Sequence, residues 1–491
     1  MQLPPDSKAA RRSALTSTAH LAILGYLVAM PWATIFVPQG NGHDLARLAQ
    51  VGLFTLCSLV MLADWVVQPP RWSRRSLAWM ALALLLAGVS IARAAEPQWA
   101  LRELALWVGM LATAWVLAQA SQPQALARVA WAVLIGTCLY QGLELLLVVA
   151  GQFNGLAPGP QRMGLGYLNY RHYSHVQTIA LPLVLVGSLL LPQVPLARRL
   201  MWMSLVTGVA LAIFEGGRAT ALALLAGAIA ALLLNRRLAW PMFGRLCMGV
   251  AAGAALYAAV FIGLPQALGL PAGDSPVHRL QGVAGDDARW YLWGLAMDAL
   301  RAQPWWGVGP MHLAHLPNLK AAHPHNVYLQ WAAEWGMPMT LLVLGWAGGW
   351  MARVALWLRH AGERAGAEPL CWLWVTALAL AVDALLSGNL VMPVSQVWAA
   401  TAVGLLWQQA ARLGVATGQA EAAVPVSDAE ARSFGGWPWR ALLAGMLAAG
   451  LLMLHGGVFQ QSQQLGAWLR HSASLAPGAK LVPRYWSVGW F

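Results

Sequence analysis

Runs of about twenty apolar residues recur along almost the whole chain, each long enough to span the hydrocarbon layer of a bilayer as an α-helix. Soluble helices pair an apolar stripe with a polar face, and most of these runs do not. With 59% of residues hydrophobic and 10% charged, a single soluble core is excluded. The chain reads as an all-α polytopic membrane protein with about 12–13 transmembrane helices. The expected spans are 20–37, 48–66, 76–94, 104–121, 130–151, 176–192, 199–215, 218–234, 245–264, 337–358, 370–387, 391–409 and 437–457. Spans 176–192 and 391–409 are interrupted by proline and polar residues. The expected organisation is a bundle of nine spans over 1–264, a long loop over 265–336, further spans over 337–457 and a short tail over 458–491.

Basic residues set the orientation. Lys8, Arg11 and Arg12 precede the first span; Arg74, Arg75, Arg128, Arg198, Arg199, Arg236, Arg237, Arg353, Arg359, Arg412 and Arg440 fall on the same side. More than half of the 31 Lys and Arg residues lie on that face, so the positive-inside rule puts the N-terminus in the cytoplasm and the tail outside. The net charge of +13 is then mainly a topology signal, with contact to anionic membrane lipid as a second consequence. No nucleic-acid partner is expected, because the charge is spread over many short loops. Pro31 interrupts the first run and no small-residue cleavage site follows it, so it reads as a retained span. Cys57, Cys138, Cys247 and Cys371 lie far apart inside spans and read as packing residues. Many of the 28 Trp residues lie near span ends, where an indole suits the headgroup region.

Ionisable and amide groups concentrate instead in three outer segments. The first, 153–175, carries Arg162, Asn169, Arg171, His172 and His175, an electropositive rim suited to a diphosphate or to lipid headgroups. The second is the turn Glu215-Gly216-Gly217-Arg218. A helix opening at Arg218 offers unpaired N–H groups and a forked donor to an anion, or the arginine snorkels or pairs with Glu215. The third is 265–336, with Arg289 beside Asp286 and Asp287, the turn-rich stretch Pro304–Pro310, and His323-Pro324-His325-Asn326. If a helix starts near His325, then Asn326, Gln330 and Glu334 recur every four residues and share one face. Such a face can orient an imidazole and hold a sugar; equally, Asn326 can cap the helix and the histidine can be structural. A metal site is not expected, since His323 and His325 have no acidic or Cys partner at a ligand spacing.

His325, Asn326 and Gly336 after a long outer loop, Arg289 through Trp293, the Pro304–Pro310 stretch and the Gly217-Arg218 turn together resemble the O-antigen ligase superfamily. That group comprises O-antigen ligases, O-antigen polymerases and protein O-oligosaccharyltransferases, and the resemblance covers about 160–340. It implies a GT-C-like glycosyltransferase in a bacterial inner membrane. Such an enzyme moves a glycan from an undecaprenyl-diphosphate carrier to an acceptor hydroxyl at the periplasmic face. By position, Arg218 and Arg289 would hold the diphosphate and His325 would act as general base or orient the acceptor. Arg162, Asn169, Arg171, His323, Asn326, Gln330 and Glu334 would line the substrate site. The implied reaction inverts the anomeric centre and uses no metal or cofactor. The implied acceptor is lipid A-core or a pilin-like protein, with chain polymerisation the alternative within the superfamily. Met339 stands where ligases tend to carry a small or hydroxyl residue, which bears on the acceptor more than on the chemistry. Outside the superfamily, a flippase of lipid-linked sugar would need polar groups along a path through the membrane, and Glu144 and Asp383 are the candidates. A structural subunit would tolerate substitution at Arg218, Arg289 and His325.

Overall fold

The computed structural model describes residues 5–32, 42–67, 74–119, 123–160, 163–271, 287–316, 318, 320–362, 364–415, 437–475 and 483–487. Among these the regular elements are all helical. In order they are α1 (Pro5–Ala29), α2 (Gly42–Val67), α3 (Arg74–Arg93), α4 (Pro97–Ala118), α5 (Pro123–Phe153), α6 (Tyr170–Leu190) and α7 (Pro195–Glu215). There follow α8 (Arg218–Tyr257), continued by a π-helical stretch Ala258–Gly263, then α9 (Asp287–Ala302) and α10 (Val327–Trp335). The series closes with α11 (Met337–His360), α12 (Ala367–Asp383), α13 (Pro393–Arg412) and α14 (Trp437–Leu475). Proline opens α4, α7 and α13, where its missing N–H costs nothing.

Ten helical segments among the described residues are long and apolar enough to cross a membrane. The chain is an all-α multi-pass membrane protein. The expected spans 218–234 and 245–264 fall within one of these segments, Arg218–Ala267. It breaks at Asn235, whose φ of −153° and ψ of 92° are not helical. The Asn235 side chain donates to the Leu358 carbonyl at 2.8 Å and accepts from Leu238 N at 3.3 Å, so it recaps the second half. Gly249 seats against Leu205 and Gly253 against Val209, so that second half runs alongside α7 in the same direction.

The expected spans 370–387 and 391–409 are α12 and α13. With α6 they are enclosed by other helices. In α13 Ser395, Gln396, Thr401, Gln408 and Gln409 are all buried, and α6 buries every residue from Val176 to Ser188, Pro182 included. Neighbouring helices can satisfy the polar groups of an enclosed helix, which lipid cannot, so these spans tolerate interruptions. The opposite case is α3 and α11, which leave Leu84, Leu85, Leu341 and Trp346 exposed.

Glycine makes the closest approaches between helices, as at Gly109 on Phe54 and Gly404 on Ala114. A Cβ at Gly249 would lie 2.3 Å from Leu205, whereas nothing lies within 4 Å of one at Gly88. Gly249→Leu is therefore expected to cost about 1–3 kcal/mol by overpacking. Thermal unfolding in detergent should show a lowered midpoint for Gly249→Leu and none for Gly88→Leu.

Candidate active site

Helix ends and loops from across the sequence meet on one face. The rings of His43, at the start of α2, and His172, at the start of α6, are 6.3 Å apart. Thr220, in the first turn of α8, donates to the Ser174 carbonyl at 3.0 Å and shares a hydrogen bond with Thr178 at 2.8 Å. Val327 N, opening α10, donates to the Ala384 carbonyl at 2.8 Å, and Glu96 N donates to His312 Nε2 at 2.9 Å.

The His323-Pro324-His325 segment is clamped on this face. Asn326 caps α10, its side chain accepting from Leu329 N at 3.0 Å. His325, just before the cap, has a φ of 53°. That left-handed conformation costs a non-glycine residue about 1–2 kcal/mol, so it persists only because its surroundings impose it. Three contacts do so. His325 N donates to His323 Nδ1 at 3.3 Å, with the two rings 4.3 Å apart. Trp293 Nε1 on α9 donates to the Pro324 carbonyl at 2.9 Å. Behind the segment, Gly388 leaves so little room that a Cβ there would lie 2.4 Å from the His323 ring. His323 is buried while His325 stays partly exposed. Burial, reinforced electrostatically by the neighbouring His325 and Arg484, holds the His323 imidazole well below its usual pKa and hence neutral.

Arginine and histidine side chains gather near this segment. Arg289 lies four residues before Trp293 on α9, so the tryptophan that holds Pro324 also brings Arg289 to the site. Arg289 and Arg171 both act electrostatically on His175, and His172 and His175 act on His323. The rings of His172 and His175 stack at 6.2 Å. Arg218 is exposed at the N-terminus of α8, which the chain enters through a left-handed Gly216 (φ 74°). The Thr220 contacts set that N-terminus against the N-terminal turns of α6, which carry the two histidines. Helix N-termini and arginines together favour a dianionic ligand.

The other expected residues have different placements. Asn169 caps α6 by accepting from Arg171 N at 2.9 Å, and both residues are exposed. Arg162 lies outside the described residues. Gln330 and Glu334 do share one face of α10, but that face turns inward and both are buried. Glu334 Oε2 accepts from Gln330 Nε2 at 3.3 Å and from Arg484 Nη2 at 2.7 Å, and its Oε1 accepts from Leu313 N at 3.1 Å. Burial raises the pKa of Glu334, and Arg484 opposes that shift. In Arg484 burial lowers the pKa, but attraction to Glu334 and Glu103 prevails and raises it. We read the pair as ionic.

The Pro304–Pro310 loop braces α10 backbone to backbone. Val308 N donates to Ala333 O at 2.9 Å, Gly309 N to Glu334 O at 3.0 Å and Met337 N to Pro304 O at 2.9 Å. The first two satisfy carbonyls at the C-terminal end of α10 that the helix itself leaves open. Only glycine allows so close an approach: a Cβ at Gly307 would lie 2.2 Å from Glu334 O, and one at Gly336 2.3 Å from Trp305 O.

Residues 203–344, from α7 into α11, match the family described as O-antigen ligase. That segment belongs to the O-antigen ligase superfamily. The match spans Arg218, Arg289, the glycine loop, His325 and Gly336. O-antigen ligase and polymerase types are membrane glycosyltransferases acting on lipid-linked glycans, and that broad class is the one supported for this chain. No curated protein matches the chain.

Two contributions to this candidate site carried no local signal in the sequence. His43 opens α2, far along the chain from His172, and a lone histidine in the short polar stretch between two spans gives no hint of a cluster. The Arg484 partner of Glu334 is separated from it by 150 positions.

Two outcomes follow. Gly307→Ala forces a Cβ against Glu334 O at a φ of 68° and is expected to cost about 1–3 kcal/mol, read as a lowered unfolding midpoint in detergent. His323 is neutral when folded but takes up a proton near pH 6.5 once unfolded, so stability is level above that pH and falls below it. Between pH 6.5 and 5 the His323→Gln protein should lose about 1.4 kcal/mol less per pH unit than the parent. Equal slopes would mean that His323 is already charged in the fold.

Proposed function

We propose that this protein transfers a glycan from an undecaprenyl-diphosphate carrier to an acceptor hydroxyl at the periplasmic face of the bacterial inner membrane. The observation that carries the reading is His325, held in a strained left-handed conformation beside the arginine-rich helix ends of the matched segment. The donor diphosphate sits between Arg218 and Arg289, with the N-terminus of α8 adding partial positive charge. As the bond from the anomeric carbon to the diphosphate oxygen breaks, negative charge grows on the leaving group, and the two guanidiniums stabilise it. The acceptor hydroxyl attacks the opposite face of that carbon and gives its proton to His325, so the anomeric centre inverts. His323, buried and neutral, holds the His325 backbone by accepting its N–H. Asn169 and Arg171 lie at the rim, where the carrier or glycan passes. No metal or cofactor takes part in this scheme.

The acceptor is lipid A-core or a pilin-like protein; elongation of a growing glycan is the alternative in the same superfamily. A transport path is disfavoured by the two charges it would need. Glu144 accepts from Leu165 N at 2.6 Å, Gly164 N at 3.2 Å and the Tyr140 hydroxyl at 2.9 Å. Asp383 accepts from Ser387 Oγ at 2.7 Å. Glu144 thus fastens the 163–165 loop, and Asp383 the turn that follows α12.

Purified protein given undecaprenyl-diphosphate oligosaccharide should glycosylate one of the two acceptors, with or without EDTA. His325→Ala should lower that rate about 10²–10⁴-fold. Arg218→Lys and Arg289→Lys should each lower it about 10²-fold, since a point charge replaces a fork. Transfer that survives His325→Ala would remove the proposed base, and failure with both acceptors would favour the polymerase reading.

A further inference from the structure

The segment Pro483–Ser487 lies buried in the bundle, far in sequence from the residues it touches. Arg484, Tyr485, Trp486 and Ser487 are each no more than 3% exposed. The Arg484 and Tyr485 carbonyls accept from the Arg47 guanidinium, both at 2.9 Å, and the Tyr485 carbonyl also accepts from His43 Nε2 at 3.2 Å. Ser487 gives both its N–H and its hydroxyl to the Asp44 carboxylate, each at 2.7 Å. The segment is therefore fixed to the start of α2. Its one long cationic side chain then reaches across: Arg484 Nη2 meets both oxygens of Glu334, at 2.7 and 3.0 Å, and lies 3.7 Å from Glu103 on α4.

Glu334 is the residue through which the site loop is held. Its side chain accepts from Leu313 N, and its carbonyl accepts from Gly309 N. Eight residues before it stands Asn326, the cap that orients His325. A buried carboxylate takes its position from its counter-charge, because in a low-dielectric interior no water can replace a lost partner.

We propose that Arg484 is a positioning residue for His325, acting through Glu334 to fix α10, which follows the histidine segment, and the glycine loop that braces it. The chemical role of His325 rests on the function proposed above; the mechanical link from Arg484 to the loop does not. Two readouts separate them. In the full-length protein Arg484→Gln should speed amide exchange at Val308 and Gly309 by at least about tenfold, while α6 and α12 keep their protection. It should lower kcat for transfer about a hundredfold, as expected of a misplaced reacting group, with donor KM within about twofold. Arg484→Lys, which keeps the charge but loses the fork, should fall between parent and Arg484→Gln in both. Glu334→Gln/Arg484→Gln, which leaves no unpaired charge, should recover most of the loop protection. Unchanged exchange at Val308 and Gly309 in Arg484→Gln would overturn the proposal. So would exchange rising equally across all helices, which marks a general loss of stability. Absence of transfer in the parent protein would count against the proposed function, and the exchange pattern would still decide the role of Arg484.

Discussion

Hydrocarbon offers no hydrogen bonds, so every peptide group inside the membrane must find its partner within the protein. The rest of this architecture follows from that constraint. The spans are helices because a helix pairs its own backbone. Chain that is not helical collects at the membrane faces, and there protein groups hold it. The Glu144 carboxylate takes two N–H groups of the 163–165 loop, the Arg47 guanidinium takes the Val391, Arg484 and Tyr485 carbonyls, and α10 trades backbone bonds with the glycine loop. A site built from loops can then be rigid although few of its residues lie in regular structure.

The same dry interior raises the stakes of charge. Arg47, Glu334 and Arg484 are almost wholly enclosed. Breaking one such pair by removing a partner costs about 3–5 kcal/mol, even where the intact pair adds little net stability. These groups therefore specify arrangement more than they add strength. They join the start of α2, the helix α4, the α12–α13 loop and α10, which is how residues from both ends of the chain come to support one histidine. The left-handed backbone of His325 is the result: strain held at a point that the surroundings over-determine.

Much of this was legible in the sequence, for reasons that can be stated. Apolar runs marked the spans because lipid demands them, and the two interrupted runs, 176–192 and 391–409, turned out to be enclosed helices. Asn326 as a helix cap, Arg218 as a helix start after two glycines and the Pro304–Pro310 break all have local chemistry and could be read locally. The period of Asn326, Gln330 and Glu334 marked one helical face, but periodicity cannot tell whether a polar face meets a ligand or a buried arginine. The Arg484 partnership, the approach of His43 to His172 and the tight contact at Gly388 depend on packing between distant segments, and no window of sequence contains both halves.

The central claim is spatial: the carrier's diphosphate binds between Arg218 and Arg289, with the reacting sugar next to His325. It is tested most directly by a cryo-EM structure of the protein with a non-hydrolysable undecaprenyl-diphosphate sugar analogue. The account predicts diphosphate oxygens within hydrogen-bonding distance of both guanidiniums, and open space beside His325 on the far side of the anomeric carbon. A diphosphate bound away from either arginine, or a sugar on a face that His325 cannot reach, would contradict it.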